Sequence, residues 1–256
     1  MPWAELGGFY GTDNTSFGKA IVFAPLTQGS HDLLFFEGRG KLFEEEAREG
    51  NFALGYRQMT SSGFNLGIWL GGDVRNSELG NTFDLLSGVI EALSADFDAR
   101  VNIYGPITGP QAGAPGFTEV VLQGNNIFMV GGQEVGLHGI DGEVGVRLPL
   151  EMLRIDPSLI EFRLYGGGFF FDNSDALNDV AGGKVRAELR INDINPEIPG
   201  SRLTAEYQIS HDDVRETRQV IGARLRLPLD PPATPALASL TAQERRIDPI
   251  ERDIDV

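Results

Sequence analysis

The sequence predicts an all-β chain closed into a twelve-stranded antiparallel transmembrane barrel, and three observations predict it. Apolar and polar residues alternate with a period of two through twelve segments, most of them roughly the ten residues that a tilted strand needs to cross a bilayer. One row of these segments carries charges of both signs, whereas the other carries almost none in mid-strand, where a Lys or Arg facing lipid costs about 2–4 kcal/mol. The connections are short at one end and longer and acidic at the other. A soluble sandwich shares the first observation but not the other two. A lipocalin-like barrel would put its apolar row inside, around a ligand.

Composition agrees. The 256 residues include 33 Gly, which suits tight turns and crowded barrel positions better than helices. No apolar run is long enough for a helical membrane span. The absence of Cys removes disulfides, thiolate metal sites and cysteine nucleophiles. The formal charge of -16 opposes nucleic acid as a partner. The opening MPWAELGGFYG lacks the basic start and apolar stretch of a signal peptide, so the chain reads as cytosolic or as a mature segment of a longer precursor.

Taken in order, WAELGGFYG, FGKAIVFAPL, DLLFFEGRGKLF, NFALGYRQM and FNLGIWLGGDV read as the first five strands. FDLLSGVIEAL, residues 83–93, reads as a sixth strand, with a helix as the alternative by period alone. ADFDARVNIYGP follows, and then an insertion from Thr108 to Gly139 in which FTEVVLQGNNIFMVGG reads as a hairpin around Gly124 and Asn125. IDGEVGVRLPL, SLIEFRLYGGGFFF, GKVRAELRIN, RLTAEYQIS and QVIGARLRLPL complete the set. TQGS, TSSG, LSAD and RIDPS read as short turns, with NDINPEIPG the exception on that side. EEEAREG, RNSELGN, DNSDALNDVAG and HDDVRET read as loops at the other end.

The charged row is the candidate lumen lining. It contains Arg39, Lys41, Arg57, Arg100, Arg147, Arg163, Lys184, Arg186, Arg190, Arg224 and Arg226. Its acids are Glu5, Glu37, Asp73, Glu91, Asp96, Asp98, Asp141, Glu143, Glu161, Glu188 and Glu206. Such near-neutral mixing lets opposite signs pair across strands, each pair worth about 0.2–1 kcal/mol. On this layout Leu189→Arg, on the outer row, should block assembly and Glu188→Gln should be tolerated.

No catalytic constellation stands out. Ser30-His31-Asp32 and Ser210-His211-Asp212 are adjacent triplets whose side chains diverge, and the layout puts them at opposite ends of the barrel. His138 is the third and last histidine, so no metal cluster is marked. Gly166-Gly167-Gly168 opens no helix and reads as relief of crowding rather than a phosphate loop.

After residue 229 the chain changes character. Thr234-Pro235 is a helix-starting pair, ALASLTAQERR favours helix, and IDPIERDIDV follows. About 18 Å of helix and roughly 30 Å of extended chain together exceed the ~25 Å apolar band of a barrel, so this tail is long enough to thread the pore. A disordered linker is the alternative.

DLLFFEGRGKL followed by NFALGYR, then FDARVNIYGP, EVGVRLPL and ERRIDPIERDIDV, resemble the translocator barrel of inverse autotransporters, the intimin and invasin type of type V secretion. The resemblance implies a non-enzymatic barrel over residues 1–229 in the bacterial outer membrane, inserted by the barrel-assembly machinery, in contact with outer-membrane lipid and without a cofactor. It implies that residues 230–256 are a linker and plug leading to an exported passenger in cis, often an adhesin. On that reading Thr234, Leu237, Leu240, Arg245, Arg246, Glu251 and Arg252 occupy the lumen. The last strand ends in Leu227, Pro228 and Leu229, without the terminal aromatic common in barrel-assembly signals. A self-contained porin-like channel or surface barrel with no passenger is the main alternative, and a membrane-embedded lipolytic enzyme a third.

Overall fold

The computed structural model describes residues 1–12, 15–44, 46–113, 119–123, 126–130, 132–176, 178–230 and 245–252, with backbone alone for 119–123 and 126–130. Period-two alternation becomes strand throughout: β1 (Trp3–Gly11), β2 (Phe17–Gln28), β3 (Asp32–Phe43), β4 (Arg48–Met59), β5 (Asn65–Asn76), β6 (Thr82–Leu93) and β7 (Phe97–Pro106). Within the insertion lie β8 (Gln111–Ala112), β9 (Glu119–Gln123), β10 (Asn126–Val130) and β11 (Gln133–Glu134). Then come β12 (His138–Arg147), β13 (Ile160–Asp172), β14 (Val180–Asn192), β15 (Arg202–Asp212) and β16 (Glu216–Pro228).

Twelve of these strands form one closed antiparallel barrel in the order β1-β16-β15-β14-β13-β12-β7-β6-β5-β4-β3-β2. Closure is made by β1, whose Trp3 lies opposite Phe23 of β2 on one side and Pro228 of β16 on the other. A closed barrel leaves no sheet edge unpaired, which is what hydrocarbon demands of a backbone. Residues 83–93 belong to β6, so the helix alternative there is corrected. Their inner row of Phe83, Leu85, Val89 and Glu91 is buried while Leu86 and Ile90 are exposed, a period of two rather than 3.6.

The barrel has an N-terminal rim, carrying the ends of β1 and β16 next to residues 2 and 229, and an insertion rim, carrying residues 107–137. In the insertion β9 pairs with β10, and β8 pairs with β11 as a stem. The expected contrast in loop length needs correction. EEEAREG and RNSELGN shrink to residues 44–47 and 77–81 because the strands run on, with Lys41 opposite Glu49 and their side chains paired at 3.0 Å. Conversely, the expected turn RIDPS is part of a longer connection, residues 148–159, which holds a 3-10 turn over Leu150–Leu153. There Asp156 accepts hydrogen bonds from the Ser158 hydroxyl at 2.7 Å and the Ser158 N–H at 2.9 Å, which hold its carboxyl below the ordinary value. The insertion thus carries most of the asymmetry between the rims.

Outside, Leu70 and Ile90 are about 70% exposed (69% and 70%), and Leu66, Ile68, Val101, Ile103, Val144 and Val185 are exposed beside them. An apolar belt of this kind around a closed barrel is the surface that lipid covers. Leu189 also points outward, partly covered by its cross-strand neighbours Phe162 and Ala205. Several glycines are explained by inward aromatic rings. A Cβ on Gly139 would stand 1.8 Å from the ring of Phe171, its cross-strand partner, and a Cβ on Gly145 would stand 2.2 Å from Tyr165. The rings lie flat across the strand beside them, a packing that only Gly permits.

Candidate functional site: the occupied lumen

Alternation in each strand decides which side chains face the lumen. Arg39, Lys41, Arg57, Glu91, Asp98, Arg100, Glu143, Glu161, Arg163, Arg186, Glu188, Arg190, Glu206, Arg224 and Arg226 are all buried inside the barrel. Arg147 is placed differently. It sits at the N-terminal rim, where it pairs with Asp96 at 2.7 Å and Glu151 at 2.6 Å, both in the connections. Its strand ends there, so its side chain belongs to the rim rather than the conduit.

The lumen contains the chain's own residues 245–252. They form a turn, with the Asp248 N–H donating to the Arg245 carbonyl at 3.2 Å, followed by extended chain. No threading helix is shown among the described residues: most of the expected helical stretch, including Thr234, Leu237 and Leu240, lies outside them, only Arg245 of the described part is helical, and residues 248–252 leave the turn as extended chain. The physical reason is visible in the contacts, because the main chain is held by the wall rather than by itself. Arg57 donates to the carbonyls of Arg246 and Asp248, at 2.7 Å each, and Trp3 Nε1 donates to the Ile247 carbonyl at 2.9 Å. Further in, Arg39 donates to the Ile250 carbonyl while the Ile250 N–H donates to Glu37 at 2.9 Å.

The side chains fix the direction of travel. Arg246 reaches the Gly29 and Asp32 carbonyls at the N-terminal rim. Arg252 lies deeper, paired with Asp73 through a 2.5 Å hydrogen bond and positioned over the rings of Trp69 and Tyr104, each 5.4 Å away. The segment therefore runs from the N-terminal rim toward the insertion rim. Arg245 pairs with Asp98 at 2.6 Å, Asp248 with Arg190 and Arg202 at 3.1 Å each, and Glu251 with Arg224 at 2.7 Å. Glu143, Glu161 and Arg186, also of the lining, make none of these direct pairs.

Two further features escaped the sequence reading. The lumen has an apolar socket built from Trp3, Ile21, Phe23, Leu33, Phe35, Trp69 and Val89, into which Ile250 is fully buried with Ile247 against its edge. The signal was present in the spacing: Leu33 and Phe35 share the row of Glu37 and Arg39, and Ile247 and Ile250 stand three apart amid charges. Burying one such isoleucine contributes about 1.5–3 kcal/mol. The second is a hub at Glu188, which is fully buried and pairs with Arg186, with Arg190 at 2.6 Å and with Arg224 at 2.9 Å. The hub argues for a loss of stability in Glu188→Gln rather than the expected tolerance, because three guanidinium groups share that carboxylate.

Elsewhere, His31 and His211 lie at opposite rims in exposed positions, hydrogen-bonded to Ser30 and Thr217 respectively. Among the described residues no three His, Cys, Asp or Glu side chains converge as a metal would require.

No family model matches the chain, and no curated protein matches it. Solved structures do. A structure from a study of in-meso crystallization of membrane proteins matches with a TM-score of 0.66 at 17% identity, covering 99% of this chain and 98% of that one. The KdgM porin in complex with disordered oligogalacturonate matches with a TM-score of 0.51 at 7% identity, covering 87% of this chain and 97% of that one. At these identities the likeness concerns the fold. Together with the apolar belt and the charged interior, it makes this chain a twelve-stranded barrel of the bacterial outer membrane whose lumen holds part of its own C-terminal region.

Proposed function

We propose that the chain is a non-enzymatic, porin-like channel across the outer membrane, closed by its own residues 245–252. The observation that carries this reading is the seat of that segment: Arg57, Arg39, Trp3 and Glu37 grip its backbone while the socket takes Ile250. The lining supports passage of polar solutes, since charges of both signs hold water once the segment leaves. Structural likeness to a porin supports it as well. On this reading residues 1–229 are the pore and residues 230–256 its plug.

Deleting residues 230–256 should raise single-channel conductance in planar bilayers several-fold while the barrel still assembles. Ile250→Asp should give part of the same rise, because a carboxylate in the socket would be buried without a partner. Equal conductance of the full chain and both variants would rule out the closed-channel reading.

A specific observation favours a second reading, the inverse-autotransporter translocator that exports and anchors an adhesin-like passenger after insertion by the barrel-assembly machinery. The described segment begins near the rim where β16 ends, runs toward the opposite rim, and is held in part through backbone groups that any extended polypeptide offers. An epitope placed after Val256 should then be reached by antibody on intact cells. Detection only after the outer membrane is opened would exclude export.

A further inference from the structure

We propose that the lumen contains a binding site for one small inorganic anion of halide size, in the cavity between the plug and the insertion rim. This inference concerns the charge and shape of the cavity and does not depend on whether the barrel conducts or exports.

The cavity measures about 30 Å³ and is walled by β1, β2, β3, β7, β12, β14 and β15 and by Glu251 and Arg252 of the plug. A water needs about 10–15 Å³ by this measure, so the space accepts two waters or a single halide and excludes a sugar or a carboxylic acid. Its lining carries seven Lys and Arg side chains and four carboxylates, and three of the cations, Arg39, Lys41 and Arg252, pair with Glu37, Glu49 and Asp73 just outside it. Each of the four carboxylates is already engaged. Asp141 accepts from Lys184 at 2.9 Å and Tyr104 at 2.6 Å, and Glu143 is paired with Arg100 at 3.2 Å and Arg186 at 2.5 Å. Glu206 pairs with Arg224 at 3.0 Å, and Glu251 also pairs with Arg224, at 2.7 Å.

Among the described residues one ammonium and two guanidinium N–H groups of this lining are left without an anionic or hydrogen-bond partner. Arg100 is 6% exposed and pairs with Glu143 through Nη1, but its Nε has no hydrogen-bond acceptor; Arg39, paired with Glu37 at 2.8 Å, has its Nε in the same condition. Lys19 stands over the ring of Phe9, 4.9 Å from its centre, and among the described residues no carboxylate lies within ion-pair distance of it. Lys19 is half-buried, and a cation withdrawn from water without a counter-charge is costly; a water answers its hydrogen bonds but not its charge. One anion answers both. The unpaired ammonium of Lys19 argues against a metal cation in this space.

Bromide is the probe. Crystals soaked in sodium bromide should show a single ordered anomalous peak inside the barrel, in contact with Lys19 and Arg100. In solution, chloride-35 line broadening by the barrel in lipid nanodiscs should be saturable. Lys19→Met, which breaks no ion pair, should weaken the halide affinity at least tenfold while the protein keeps its folded mobility on unheated gels. Water rather than bromide in the cavity, or unchanged affinity in Lys19→Met, would overturn the proposal. Because neither measurement involves current or a passenger, failure here leaves the channel reading standing, and failure of the channel reading leaves the anion site to be judged by itself.

Discussion

Glu188→Leu is expected to destabilise the barrel by about 3–5 kcal/mol, the usual cost of removing one partner from a buried charged cluster. The fully buried carboxylate of Glu188 is shared by Arg186, Arg190 and Arg224, which lie on two strands, β14 and β16, either side of β15. Removing it leaves Arg190 with Asp248 of the plug, and Arg224 with Glu206 and Glu251, as their main counter-charges. Glu188→Gln should retain most of the defect, because an amide accepts hydrogen bonds but supplies no charge. Reversible urea unfolding in lipid vesicles measures the loss. A change below about 1 kcal/mol, the range of exposed ion pairs, would mean that lumen water screens the hub.

Leu70→Arg is expected to cost about 2–4 kcal/mol, the penalty for a cation on the lipid face near mid-bilayer. Leu70 sits in the middle of β5 with 69% of its surface exposed, so the change creates no clash within the protein and reports on the surroundings alone. Leu79→Arg is the control. Leu79 is also exposed, but it lies in the 77–81 connection at the insertion rim, where a charge meets water or headgroups and should cost little. The same unfolding assay distinguishes the two. Equal tolerance at both positions would argue that the belt does not face hydrocarbon.

Much of the fold was legible because a barrel strand repeats one rule along its whole length. In β14 the residues Lys184, Arg186, Glu188 and Arg190 are buried and Val185 is exposed, as their parity requires. Strand ends were less legible. The ladder carried Arg48 and Arg75 into positions that read as loop, while Pro149 and the 3-10 turn stopped β12 early and left Arg147 at the rim. Local composition reports what a residue prefers, whereas a strand ends where its neighbour stops offering backbone partners.

The lumen divides along the same line. By itself the sequence determined the twelve strands and which face of each carries charge, because a period of two is written into neighbouring residues and needs no knowledge of distant ones. Only the tertiary structure decided the partners. Glu188 meets Arg224 and Asp98 meets Arg245 across 36 and 147 residues of chain. Trp3, Phe35 and Trp69 come from three separate strands to make the socket for Ile250. Such contacts are set by ring closure and register, which bring every strand to face one shared interior, and no periodicity within a strand records what stands across that space.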